Sequence, residues 1–350
     1  MELTIIIFLL GGLFLGWSLG ANDAANVFGT AVGTRMLQFK TAAIICSIFI
    51  ILGAVISGAG TTETIGKLGS INALPGAFAA CIAAGLSVYL MTKIGLPVST
   101  TQAIVGAIIG WNLYTGSPTN IKVLITILST WVLCPIIAGL IAMGLYVSTK
   151  KIIQKRKLHL LRIDAYTRIS LLVAGAFGAY SLGANNIANV MGVFVPISPF
   201  TDISISDIFV FSSREQLFLL GGIAIAVGVF TYSKKVMITV GNDLFKMTPV
   251  AAFIIVISHS IVLFLFASQG ISQFLQSINL PSIPLVPVSS SQAIVGGVIG
   301  IGLLKGGKEV QWSIARKISI GWLTLPIMAS IISYIILFIL QNIFNLTVNF

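Results

Sequence analysis

The sequence predicts an all-α integral membrane protein made of two inverted-topology repeats whose membrane helices are interrupted at two polar breaks, 20–29 and 183–192, and three observations predict it. Charged residues make up 8% of the chain and hydrophobic ones 57%, with a mean hydropathy of +1.05; soluble domains carry about 25% charged residues. A polar decade flanked by glycines, Gly20-Ala21-Asn22-Asp23-Ala24-Ala25-Asn26-Val27-Phe28-Gly29, follows an apolar run and returns as Gly183-Ala184-Asn185-Asn186-Ile187-Ala188-Asn189-Val190-Met191-Gly192. A second segment, Pro97-Val98-Ser99-Thr100-Thr101-Gln102 through Gly106, returns as Pro287-Val288-Ser289-Ser290-Ser291-Gln292 through Gly296.

A membrane helix needs about 20 apolar residues. The first half offers runs near 3–20, 41–59, 74–92, 97–114 and 121–147. The second offers 169–186, 215–232, 250–268, 287–304 and 318–340. The Pro, Ser, Thr and Gln content of 97–114 and 287–304 also suits re-entrant hairpins, so the expected count is 10 to 12 membrane helices. The expected organisation is a first membrane repeat over 1–147, a basic linker over 148–168 and a second repeat over 169–350. The offset between matched positions grows from 163 (Gly20 to Gly183) to 175 (Phe78 to Phe253) to 191 (Trp131 to Trp322), as in two copies that gained loop residues. Five crossings per half make the second copy inverted, which is the architecture of secondary transporters with a site at the repeat interface.

The net charge of +11 would suggest nucleic acid in a soluble protein; here the position of the charges carries the information. With ten crossings, 17 of the 20 Lys and Arg residues fall on the linker's side, and only Lys67, Lys122 and Arg214 on the other. Cytoplasmic loops collect Lys and Arg, so the expectation is a cell-membrane protein with linker 148–168 cytoplasmic and both termini outside. Cys46, Cys81 and Cys134 lie in apolar runs without CxxC spacing and read as buried hydrophobes. No nucleophile–base pair or metal-ligand cluster appears, which argues against an enzyme and against a resident cofactor.

Asn22, Asp23 and Asn26, three and four apart, share one helix face, as do Asn185, Asn186 and Asn189. One buried Asn would ordinarily be a polar helix–helix contact. Five Asn and one Asp in a duplicated pattern instead suit a cation bound by oxygens, with Asp23, Asn26, Asn186 and Asn189 as Na⁺ ligands. The segments Ser99, Thr100, Thr101, Gln102 and Ser289, Ser290, Ser291, Gln292 follow a proline expected in the first turn of a helix. They would present N–H groups, hydroxyls and a carboxamide at a helix N-terminus, an anion site without a basic side chain. Asn22 and Asn185 join that anion set. Because neither site contains Lys or Arg, a bound anion would need cations to balance it, which points to coupled transport. His259, alone in an apolar run, reads as a buried packing residue, and Pro135 and Pro326 as helix kinks.

These paired motifs, in their duplicated order, resemble the inorganic phosphate transporter (PiT) family over essentially the whole chain. The run Gly20 to Gly33 resembles the family's sodium-coupled branch. The resemblance implies Na⁺-driven symport of inorganic phosphate into the cell, with the lipid bilayer as surroundings, no nucleic-acid partner, and room for homo-oligomerisation. Thr62-Glu63-Thr64-Ile65-Gly66-Lys67 is similar to a family segment whose Glu is implicated in transport, which adds Glu63 to the candidates. The chain departs from the pattern at Asn186, where the family usually has Asp, and at Gln102 and Gln292, where it often has His. The alternatives are symport of another small oxyanion such as sulfate or arsenate, proton-coupled phosphate transport, and an anion channel or membrane receptor.

Overall fold

The computed structural model describes residues 2–156, 159–204, 210–239, 248–307 and 310–350. It is helical almost throughout: α1 (Glu2–Gly33), α2 (Phe39–Ser57), α3 (Ala59–Gly69), α4 (Leu74–Lys93), α5 (Thr100–Thr115), α6 (Ile121–Arg156), α7 (Leu160–Met191), α8 (Ser213–Thr231), α9 (Ser233–Thr239), α10 (Pro249–Ala267), α11 (Gln269–Ser277), α12 (Ser290–Leu304) and α13 (Trp312–Asn342). The only sheet among the described residues is a two-stranded hairpin pairing Ile203–Ser204 with Val210–Phe211. Among the described residues eight helices are long and apolar enough to cross a membrane; α5 and α12, with 16 and 15 residues, fall short of the ~30 Å hydrocarbon core at ~1.5 Å per residue.

Each of the ten expected runs corresponds to one helix, and the inversion is visible in their directions. Gly11 abuts Phe78 and Gly85 abuts Leu15, so α4 runs parallel to α1. Gly12 lies against Phe194 and Val190 while Gly175 lies against Phe28, so α7, the counterpart of α1, runs antiparallel to it. The helices do not gather by sequence half either. Gly106 of α5 packs on the Pro326 backbone of α13, and its counterpart Gly296 of α12 packs on the Pro135 backbone of α6. Gly20 of α1 meets Ile225 of α8, and Gly183 of α7 meets Ile50 of α2. A Cβ at any of these four glycines would overlap a facing carbonyl, so backbone contact is the reason for glycine there. The halves therefore interleave, and the two prolines expected as kinks lie inside α6 and α13 at these crossings.

The structure differs from expectation in where the helices are interrupted. Both polar decades are themselves helical: α1 continues through Asn22–Gly29 to Gly33, and α7 through Asn185 to Met191. Their side chains find polar partners on neighbouring segments, so the backbone has no need to open. The interruptions lie elsewhere. Helix α2 stops at Gly58, where α3 begins, and α5 and α12 each start from an extended segment beside the polar decades. The turn from α4 into the first extended segment passes through Gly95 at φ +78°, a conformation that favours glycine. In the second half α11 is inserted at that place, which accounts for the jump in offset between Phe253 and Pro287.

Candidate functional site

The site forms where α1 and α7 pass the starts of α5 and α12. Asn22 fixes the first extended segment: its Oδ1 accepts from the Val98 N–H at 3.4 Å and its Nδ2 donates to Thr92 Oγ1 at 2.7 Å. Asn185 does the same in the second half, accepting from the Val288 N–H at 2.8 Å and donating to the Leu263 and Val286 carbonyls. The two asparagines expected to contact the anion thus have amides engaged in holding the extended segments before α5 and α12. Thr61 of α3 braces this arrangement, donating to the Asn185 carbonyl at 3.1 Å.

Ser99 and Ser289 are the N-caps of α5 and α12, their hydroxyls accepting from the Gln102 and Gln292 N–H groups at 3.3 and 3.2 Å. This changes the expected role of the prolines, since Pro97 and Pro287 sit outside the helices in the extended segments. The backbone N–H groups of Thr100, Thr101, Ser290 and Ser291 open the helices and have no acceptor within them. Thr101 Oγ1 lies 3.4 Å from the Val288 carbonyl, so the start of one helix abuts the approach to the other.

Asp23 accepts from Thr100 Oγ1 at 3.0 Å and is the one carboxylate among the described buried side chains. Two amide contacts then cross between halves. Asn26 Nδ2 of α1 donates to Ser290 Oγ of α12 at 3.0 Å, and Asn189 Nδ2 of α7 donates to Thr101 Oγ1 of α5 at 2.9 Å. Asn186 Oδ1 accepts from Asn189 at 2.8 Å. All of Asn22, Asp23, Asn26, Ser99 to Gln102, Asn185, Asn186, Asn189 and Ser289 to Gln292 are at most 4% exposed, so the cluster is closed to both sides. Within it, Gln102 Oε1, Gln292 Oε1 and Asn189 Oδ1 are buried acceptors without a hydrogen-bond partner, and Asn186 Nδ2 is an unpartnered donor. Unpaired buried polar atoms are costly, and oxygens of this kind suit a hard cation or a donor on a substrate.

Three further residues touch the cluster. His259 Nε2 is 2.9 Å from Ser290 Oγ, Trp322 Nε1 donates to Ser291 Oγ at 3.2 Å, and Thr92 holds Asn22. His259 had only its isolation in an apolar run as a signal, and Trp322 only its pairing with Trp131 under the repeat. Glu63 lies apart from the cluster, exposed on α3 and paired with Lys67, which holds its carboxyl below the usual range. Among the described residues no group of three or more His, Cys, Asp or Glu side chains could hold a metal.

The family model described as the phosphate transporter family matches residues 19–273 and 282–349. The chain belongs to this family. A protein of Methanocaldococcus jannaschii provisionally named a phosphate permease is 30% identical, over 96% of this chain and 98% of its own. The sulfate permease CysP of Bacillus subtilis is 28% identical, over 96% of this chain and 87% of its own. A solved structure described as "The sodium-dependent phosphate transporter" is similar with a TM-score of 0.74 at 24% identity, covering 97% of this chain and 99% of that one. The fold of a multi-pass transporter is thereby shown, and both repeated motifs fall within the matched family regions.

Proposed function

We propose that the chain is a secondary active transporter that carries inorganic phosphate into the cell by symport with Na⁺. The observation that carries this reading is the crossed cluster, in which the starts of α5 and α12 face each other and are tied to α1 and α7 by Asn26–Ser290 and Asn189–Thr101. Two helix N-termini supply N–H groups and hydroxyls for a tetrahedral oxyanion, and the positive N-terminal end of each helix dipole favours its charge. We assign the anion to Thr100, Thr101, Gln102, Ser290, Ser291 and Gln292, with Ser99 and Ser289 as caps and Asn22 and Asn185 as braces. Na⁺ is assigned to oxygens of Asp23, Asn26, Asn186 and Asn189. With a single carboxylate and no Lys or Arg in the cluster, anion and cations stabilise each other, and this mutual dependence is the basis of coupling.

The orientation we propose places the linker in the cytoplasm and both termini outside, supported by the asymmetry of Lys and Arg. The 1–147 and 169–350 repeats are units of duplication, and their interleaving suits a site shared between them. Sulfate is the second reading, because the similar Bacillus subtilis protein is named a sulfate permease. The experiment is uptake of labelled phosphate or sulfate into proteoliposomes with Na⁺, K⁺ or a pH gradient imposed in turn. Phosphate accumulation with Na⁺ alone graded is expected. Accumulation driven by the pH gradient alone, or of sulfate in preference, would replace this reading.

A further inference from the structure

The face of the molecule that carries Asn72 and Phe350, opposite the linker, holds three basic residues in the described chain: Lys67 at the end of α3, Lys122 at the start of α6 and Arg214 at the start of α8. Two of the three line one cavity. Lys67 and Arg214 share with Glu63, Ala59, Gly192 and Gln269 a pocket of about 340 Å³ between α3 and α8. Its other charged residue, Glu63, is tied to Lys67, so two cations stand against one anion.

The cavity lies beside the deep cluster. Ala59 at the start of α3 and the exposed Gln269 line it, and Gly60 beside them packs against the Ala267 backbone at the end of α10. One residue further, Thr61 donates to the Asn185 carbonyl, so a single helix, α3, separates the cavity from the deep cluster. That helix is 11 residues long, set off by Gly58 at one end and by Ser70 in the left-handed conformation (φ 47°) at the other.

We propose that this cavity is an outer anion-binding vestibule that collects phosphate and delivers it past α3. The inference rests on the reading of the deep cluster as a phosphate site. Its physical basis is that a concave surface with an excess of one charge sign, here two cations to one carboxylate, raises the local concentration of the opposite ion on a face otherwise poor in cations. Ordinary salt screens such attraction beyond about 8 Å, so the effect is sensitive to ionic strength. Because a vestibule speeds entry and exit alike, it changes the kinetics of access without changing the affinity of the deep site.

The test uses the full chain in proteoliposomes with the Asn72 face outward, inorganic phosphate as the probe, and fixed Na⁺ with choline chloride varied. The variants are Lys67→Gln, Arg214→Gln and their combination, with Lys67→Arg retaining charge and Lys122→Gln removing the one cation of that face outside the cavity. For the double variant the expected result is a KM about three- to tenfold higher at unchanged maximal rate, with most of the salt sensitivity lost. Equilibrium phosphate binding to the purified double variant should stay within about twofold of wild type, and Lys67→Arg and Lys122→Gln should behave as wild type. Unchanged KM and salt dependence in the double variant would overturn the vestibule, as would an equal effect from Lys122→Gln. Loss of equilibrium binding would overturn it too, by making these residues part of the deep site. Wild-type protein that binds no phosphate at all would instead refute the reading of the deep cluster, and the vestibule's cargo with it.

Discussion

At the scale of single residues, the cluster separates groups whose hydrogen bonds hold the backbone from groups left to the proposed ligands. Asn22 and Asn185 spend their amides on the Val98 and Val288 N–H groups, and Ser99 and Ser289 spend their hydroxyls on helix caps. Sequence alone could not make that separation, because an Asn on a buried helix face looks the same whether it faces a ligand or a backbone amide. Ser99→Ala should therefore destabilise α5 by about 0.5–2 kcal/mol, a typical loss for an N-cap; thermal unfolding of the purified protein checks this, with phosphate binding changed less than in Thr101→Val. Asp23 has a different part. Thr100 donates to one carboxylate oxygen at 3.0 Å and Asn26 to the other at 3.4 Å, and neither donor neutralises the charge that the proposed cation would balance. Asp23→Asn should leave a folded protein whose phosphate uptake no longer responds to a Na⁺ gradient, and whose phosphate affinity no longer rises with Na⁺. Normal sodium dependence in that variant would return Asp23 to a packing role.

At the scale of elements, the helices were legible and their partners were not. Apolar runs of about 20 residues and the duplicated motifs located each long helix, because length and composition are local properties. Which helix lies against which is a property of three-dimensional surfaces, and so the pairing of α5 with α13 and of α6 with α12 had no sequence signal beyond the repeat itself. The same limit applies to the polar decades: the sequence pattern suggested a broken backbone, whereas partners supplied by the facing segments let α1 and α7 stay helical. His259 and Thr92 enter the cluster for this reason too, brought there by packing of α10 and α4. The glycine crossings give a prediction at this level. Gly106→Val and Gly296→Val each drive a side chain into a proline backbone on the facing helix. Each should cost at least the ~1–3 kcal/mol typical of overpacking, lowering the unfolding temperature and the yield of folded protein. Equal damage at both positions is expected from the symmetry; a harmless substitution at either would show that the two crossings are not equivalent.

At the scale of the whole molecule, the two halves interleave in opposite directions and meet at one closed cluster. Closure to both sides means that transport requires the shared contacts to open alternately, and contacts such as Asn26–Ser290 and Asn189–Thr101 bridge the parts that must separate. The proposed orientation rests on the charge pattern. A cysteine placed at Gln154, in a background lacking Cys46, Cys81 and Cys134, should react with a membrane-impermeant reagent in inverted vesicles and resist it in intact cells. Reaction in intact cells would reverse the proposed orientation. The proposal that both halves hold a single anion is tested most directly by phosphate titration of purified protein in Na⁺ across a double-mutant cycle of Thr101→Val and Ser290→Ala. Each hydroxyl lost to a charged ligand should weaken binding by about 1.5–3 kcal/mol, tenfold or more. The two losses should fail to add, with a coupling of about 0.5–3 kcal/mol, because the residues share one ligand. Strictly additive losses, or an effect from only one of the two halves, would contradict a shared site.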